Sequence, residues 1–179
     1  MSSPLNLLRL FAAALLLASA TARADILTEV QNLVAKGDLA GALRATEAAA
    51  AADPRNTQAR FLRAVVLMDL QRNAEALAAF TLLSQEFPEL PEPYNNLALL
   101  QVRAGRLELA RQALETALRN DPGHRTARAN LGEVHLMLAV QAWEQAATVG
   151  PLDARLMRRL DAARALVASG SLPGAVPSR

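Results

Sequence analysis

Apolar residues recur at helical spacing along almost the whole chain, and the helical runs come in pairs separated by short polar breaks. Ile26, Leu27, Val30, Leu33 and Val34 mark a first run, stopped at Gly37-Asp38, where glycine accepts left-handed backbone and aspartate caps the next helix. Leu39–Ala52 is its alanine-rich partner, ended by Asp53-Pro54 because the residue before a proline is pushed out of helical geometry. Phe61, Leu62, Val65, Val66 and Leu67 carry a helix over Arg55–Leu70. Its turn, Gln71-Arg72-Asn73, has no glycine, and Asn73 is the expected cap of Ala74–Glu86. Pro91 and Pro93 suit the first turn of a third pair, where a missing N–H costs little. Tyr94, Leu97, Ala98 and Leu100 continue that helix to Gly105, and Leu107–Asn120 is its partner, stopped by Asp121-Pro122-Gly123.

The stops are periodic. Pro54, Pro88 and Pro122 stand 34 residues apart, so the pairs are repeats of one unit. Small residues such as Ala98, Ala110 and Ala117 let paired helices approach, and Tyr94, Leu97 and Leu114 fill the grooves between them. One pair cannot bury its apolar face alone, so about three stacked units are needed for a stable array.

These units resemble the tetratricopeptide repeat family. In the unit ending at Pro122 the family's sequence of large, Leu, small, large, small, aromatic and small positions falls on Tyr94, Leu97, Ala98, Gln101, Ala110, Leu114 and Ala117. The unit ending at Pro88 matches with Ala64, Leu67, Ala76, Phe80 and Leu83, but has Arg60 and Arg63 at the first two places. The unit ending at Pro54 keeps Ile26, Leu33, Ala42 and Ala49 and has Glu29 where Leu is usual. The resemblance covers about 125 of the 179 residues. It implies an all-α fold: a right-handed superhelical stack of antiparallel helix pairs, an α-solenoid, with a C-terminal capping helix. The expected divisions are units at 25–54, 55–88, 89–122 and a truncated 123–151, then a capping helix at 152–168 and a disordered tail at 169–179.

The fourth unit departs from the pattern. Leu131-Gly132 and His135 sit where the family has Leu, Gly and Tyr, and Trp143 and Ala146 sit at the second-helix aromatic and small places. Yet Pro122 and Pro151 are only 29 residues apart, and the five missing residues are those of the turn. Without a proline between Arg125 and Val149, the two helices of this unit are expected to fuse into one of about 36 Å at 1.5 Å per residue. The alternative is a very tight turn near Leu138–Val140. Leu152, Leu156, Leu160, Ala163 and Val167 then line one face of a last helix, with Arg155, Arg158, Arg159 and Arg164 largely off it.

The first 24 residues change the picture of charge and location. Arg9, the apolar run Leu10–Ala18 and the small residues Ala20, Ala22 and Ala24 have the order of a secretory signal, with cleavage expected after Ala24 and next best after Ala22. The other reading is a retained membrane anchor, but Asn6 and Arg9 interrupt the run short of the ~20 apolar residues a span needs. The expected destination is the bacterial periplasm, or outside the cell, with no membrane span in the mature chain. Beyond residue 24 the chain has 17 basic and 17 acidic side chains, which gives no support to nucleic-acid binding. The balance is uneven: residues 25–100 carry 6 basic and 10 acidic groups, residues 101–179 carry 11 and 7.

Candidate chemistry is sparse. The chain has no cysteine, which excludes disulfides, thiolate metal sites and thiol nucleophiles. Of the two histidines, His124 follows a Pro-Gly turn and is expected exposed, and His135 is expected packed in the core at the family's Tyr place. No phosphate loop or nucleophile–base pattern occurs, so no catalytic residue, cofactor or metal site is expected. What remains is binding of a protein or peptide partner. The resemblance implies that first helices line a concave groove, here Leu27, Gln31 and Val34, then Gln58, Phe61, Val65 and Met68, then Glu92, Asn95, Asn96, Leu99 and Arg103, and last Asn130, Glu133 and Met137. The apolar members would bury partner side chains and the asparagines would pair with an extended backbone, since an amide both donates and accepts. Val65 and Leu99 fit packing against a neighbouring helix equally well. Some family members clamp the acidic C-terminus of a chaperone with Lys, Asn and Arg. The matching places here are Leu27, Gln31, Leu62, Glu92 and Asn96, which lack the cations. The second expectation is a structural, homo-oligomeric protein that associates through the long fourth helix, Trp143 and the last helix.

Overall fold

The computed structural model describes residues 26–169, and among them every regular element is an α-helix. The expected signal and the tail beyond Ser169 lie outside the described residues. The helices are α1 (residues 26–35), α2 (Leu39–Ala52), α3 (Thr57–Asp69), α4 (Asn73–Glu86), α5 (Pro91–Arg103), α6 (Leu107–Asn120), α7 (Arg125–Val149) and α8 (Ala154–Ser169). They fall into two compact units, one ending at Ala79 and the other beginning at Phe80.

In the first unit α2 packs on α3. Its core holds Ile26, Val30, Ala42, Leu43, Leu62, Ala64, Val66 and Leu67. The buried Thr46 hydroxyl donates to the Leu43 carbonyl, so the one polar group on the inner face of α2 is satisfied within its own helix. Each start and stop has a local cause. The Asp38 carboxylate accepts from the Gly41 N–H at 2.7 Å, and the Asn56 amide oxygen from the Ala59 N–H at 3.0 Å. Asp53 is extended ahead of Pro54, and Asp121 is extended in the same way ahead of Pro122. Asn73 is not a cap; it is the first residue of α4, and the turn before it ends at Arg72.

The turns within the three pairs share one hydrogen-bond pattern. Asp38, Arg72 and Arg106 N–H groups donate to Leu33, Leu67 and Gln101 carbonyls, while Gly37, Gln71 and Gly105 donate to Val34, Met68 and Val102. This double closure demands left-handed backbone at the second set, with φ of 76°, 59° and 71°. Gln71 therefore bears strain that its two counterparts escape. Gln71→Gly is expected to stabilise the protein by about 0.5–1 kcal/mol, after allowance for glycine's greater freedom in the unfolded chain, read as a higher urea midpoint at unchanged slope.

The second unit is built on Ala98, Ala110, Leu114, Ala117, Ala127 and Val134, flanked by Tyr94, Val102, Leu118, Leu131 and Leu138. The alanines bring α5, α6 and α7 close, and the larger side chains interdigitate between them. Tyr94 donates its hydroxyl to the Ser84 carbonyl at 3.2 Å, and Asn120 donates to the Pro88 carbonyl at 2.7 Å. α7 is one helix of 25 residues, without a break near Leu138–Val140. Its cap is His124, whose Nδ1 accepts from the Ala127 N–H at 3.2 Å. His124 is thus half-buried with a structural task rather than a free turn residue. α8 returns along α7, burying Leu160 and Ala163 and pairing Arg164 with Glu144 at 2.8 Å. Arg155, Arg158 and Arg159 are exposed.

Candidate functional site

The first helices of the pairs carry the candidate residues, and the two units hold separate sets. In the first, Gln31 is exposed on α1 and Gln58 is half-buried in the opening turn of α3. Phe61, Val65 and Met68 succeed them on α3 at steps of three and four, hence on one face. All three are buried, Met68 to 2% and Val65 to 9%. Val65 thus presents almost none of its surface, in keeping with a packing role.

In the second unit the candidates lie on α5 and α7. Glu92 and Glu133 are half-buried and Arg103 is exposed, whereas Leu99 is buried. The three asparagines are deeply enclosed: Asn95 is 3% exposed, Asn96 1% and Asn130 0%. Asn130 Nδ2 donates to Asn95 Oδ1 at 2.9 Å, a buried amide bond that ties α7 directly to α5. Asn96 Nδ2 donates to the Glu92 carbonyl one turn back, also at 2.9 Å. These two bonds leave acceptors over, since Asn96 Oδ1 and Asn130 Oδ1 are buried without a partner. A buried acceptor left unsatisfied costs about 1–3 kcal/mol, so the pair is a local store of unmet hydrogen-bonding capacity. Asn96 and Asn130 occupy the same place one repeat apart. The bond, however, joins Asn130 to Asn95, a spacing of 35 that only the packing of α7 on α5 selects.

The coupling is measurable. Asn95→Ala leaves Asn130 without its partner and is expected to cost about 1–3 kcal/mol, while the double change Asn95→Ala with Asn130→Ala, which removes both polar groups, costs less than the sum of the two single changes. A double-mutant cycle in urea checks this.

Two further polar groups bear on the unit. Gln101 stands where the large residue of the pattern is expected, and its Oε1 is buried without a partner. An amide at an inward position of the repeat already signals in the sequence a need for a partner. His135, expected to be packed, is exposed. The reason is the fused helix: the second half of α7 runs on instead of folding back, so nothing of its own unit lies over His135. Elsewhere, exposed ion pairs shape the surface. Hydrogen bonding to Arg72 holds the Glu75 carboxyl below the usual carboxylate range, and Glu108 and Glu115 both raise Arg111.

Among the described residues no three His, Asp or Glu side chains gather as a metal site would require, and no helix is long and apolar enough to cross a membrane. The accessible chemistry is therefore that of a face with mixed charge at its edges, Glu92, Glu133 and Arg103, over an enclosed amide layer.

The tetratricopeptide repeat profile matches residues 27–91 and 95–138. No curated protein gives a significant sequence match. Among solved structures, the chain is similar to the first TPR of Spaghetti (RPAP3) bound to an HSP90 peptide, with TM-score 0.59 and 20% identity over 65% of this chain and 93% of that one. It is also similar to the MamA protein, with TM-score 0.56 and 20% identity over 82% and 84% of the two chains. A third similar structure is a tetratricopeptide repeat protein from Parabacteroides merdae, with TM-score 0.57 and 21% identity over 82% of this chain and 61% of that one. These identities speak to the fold alone. The profile spans more than half of the sequence, and the chain belongs to the tetratricopeptide repeat family.

Proposed function

We propose that this protein is a non-catalytic adaptor of the bacterial cell envelope, exported by its N-terminal signal and holding a peptide or helix of a partner protein along the first helices of its repeats. The contacts proposed are the accessible Gln31 and Gln58 in the first unit and Glu92, Arg103 and Glu133 in the second, with the buried Phe61, Val65, Met68, Asn95, Asn96, Leu99 and Asn130 as the floor beneath them. The observation that carries the reading is the accessible edge of mixed charge on α5 and α7, formed by Glu92, Arg103 and Glu133 above the enclosed amides. Family membership supports a protein-binding role, and a structural neighbour is bound to a peptide. The partner differs from an acidic chaperone tail, because Glu92 stands where a cation would be needed.

Photo-crosslinking probes at Arg103 and Glu133 test the surface. Both accept a large substituent because neither is buried. Capture of the same partner at both, and not at the exposed Gln112 on α6, is the expected result. Capture equal at all three positions would remove the groove from consideration. The export step has its own test: the N-terminus of the protein recovered from the periplasm is expected to be Asp25, and recovery of the uncut chain in the cytoplasm would refute it.

A further inference from the structure

α7 exposes a face that the regular units cover. In the second and third repeats the small residue of the first helix is buried, Ala64 to 0% and Ala98 to 1% exposure, and α6 packs on α5 in the third. The same place in the fourth unit is Gly132, which is exposed, and a Cβ built there meets nothing within 4 Å. His135, one turn on, is exposed as well. The element that would cover them exists in the chain but stands elsewhere. Ala139, Trp143 and Ala146 hold the small, aromatic and small places of a second helix, and loss of the turn has placed them in line with the first half of α7 instead of against it.

Seat and cover fall on one side of one unbroken helix. Gly132, His135, Ala139, Ala142 and Ala146 follow at steps of three and four, the spacing of a helix–helix seam. Trp143 borders that seam and is half-buried. The other sides of α7 are engaged. Ala127, Asn130 and Val134 are buried toward α5 and α6, and Glu144 meets Arg164 of α8. The uncovered side therefore carries both halves of a helical hairpin that cannot close on itself.

We propose that a second copy of this chain closes it. Two α7 helices pack antiparallel about a two-fold axis near residues 135–139, so that each copy's distal half lies over the other's Gly132 and His135. The contact is self-complementary, as two-fold symmetry demands, and it closes without leaving a repeating surface. Exchange of an element after loss of a hinge is a low-cost route to such a dimer. Gly132 and Ala139 allow the close approach, and Trp143 supplies the apolar area of the missing second-helix aromatic. The surface lies away from Asn130 and Glu133, so a dimer leaves the proposed partner face of each copy free.

The chain has no cysteine, so a single introduced thiol reports the axis without interference. His135→Cys and Ala139→Cys are each made in the full chain and oxidised mildly. At least one is expected to give a disulfide-linked dimer about tenfold or more in excess of Gln112→Cys, because two thiols beside a symmetry axis meet at a high effective concentration. Gly132→Glu, whose side chain enters open space in a single copy, is expected to abolish that crosslink while the far-ultraviolet circular dichroism is unchanged. A second variant restores the hinge: inserting a copy of the five residues Gly105–Leu109 between Leu138 and Ala139 lets the second half fold back, and the product is expected to sediment as a monomer. No excess crosslink at either position overturns the proposal. So does a crosslink that survives Gly132→Glu, or a dimer that survives the insertion.

Discussion

Leu114→Ala is expected to destabilise the protein by about 3 kcal/mol, within the range for a leucine removed from a closed core. Leu114 is fully buried among Ala98, Ala110, Ala117, Ala127 and Val134. Four of these five neighbours are alanines, whose side chains have no rotamers with which to fill a void. The helices would have to shift as bodies to close the cavity, and the tie between Asn95 and Asn130 resists that shift. Urea denaturation should show a lower midpoint at unchanged slope. Leu109→Ala, on the same helix but 46% exposed, is the control and should cost no more than about 0.5 kcal/mol. Equal effects at the two positions would show that the core of the second unit is not organised around Leu114.

Ala139→Pro should cost about 3 kcal/mol or more and divide α7. Proline in a helix interior removes an i→i−4 hydrogen bond and drives its ring against the carbonyl one turn back. Ala139 is the fifteenth residue of a 25-residue helix, far from either end, so no frayed turn can absorb the defect. The first half of α7 is held by α6 and by the buried Asn130, whereas the second half is held by α8. Amide exchange should therefore quicken chiefly over residues 140–149 and in α8, and remain slow around Val134. Ala142→Gly, which weakens the same helix by propensity alone, should cost only about 1 kcal/mol and leave the exchange pattern in place. If Ala139→Pro were tolerated as well as Ala142→Gly, α7 would not be continuous in solution.

Both effects follow from a helix inventory that can be read without coordinates. Three prolines at a 34-residue interval and the small and large residues between them mark the pairs. The absence of five residues before Pro151 marks the fused helix, because the residues that reverse the chain in the three regular pairs are missing there. Local chemistry also foretold most helix ends. Asp38 caps and Gly37 turns where expected, since both act through bonds to residues within five positions. Gln71 shows the limit of that logic: the closure of the turn imposes left-handed backbone on a residue that does not favour it, and the neighbouring bonds hold it there.

The side-chain roles were less legible. Periodicity identifies Asn95, Asn96 and Asn130 as residues of the first helices, but it does not say whether an amide on such a helix meets a partner or another amide. The approach of α7 to α5 decided that Asn130 bonds Asn95 and that the oxygens of Asn96 and Asn130 stay unpartnered, because a hydrogen bond depends on separations of tenths of an ångström between residues 35 apart in the chain. His135 was misplaced for a related reason. Its position in the repeat is an inner one, and inner positions are buried only when a second helix returns over them. Sequence by itself determined the helices, their pairing and the one turn that is missing, all of which depend on near neighbours and on regular spacing. Tertiary structure alone decided which inner faces are covered, because burial is a property of what lies opposite a residue; among the described residues nothing comes within 4 Å of a Cβ at Gly132, and His135 is exposed.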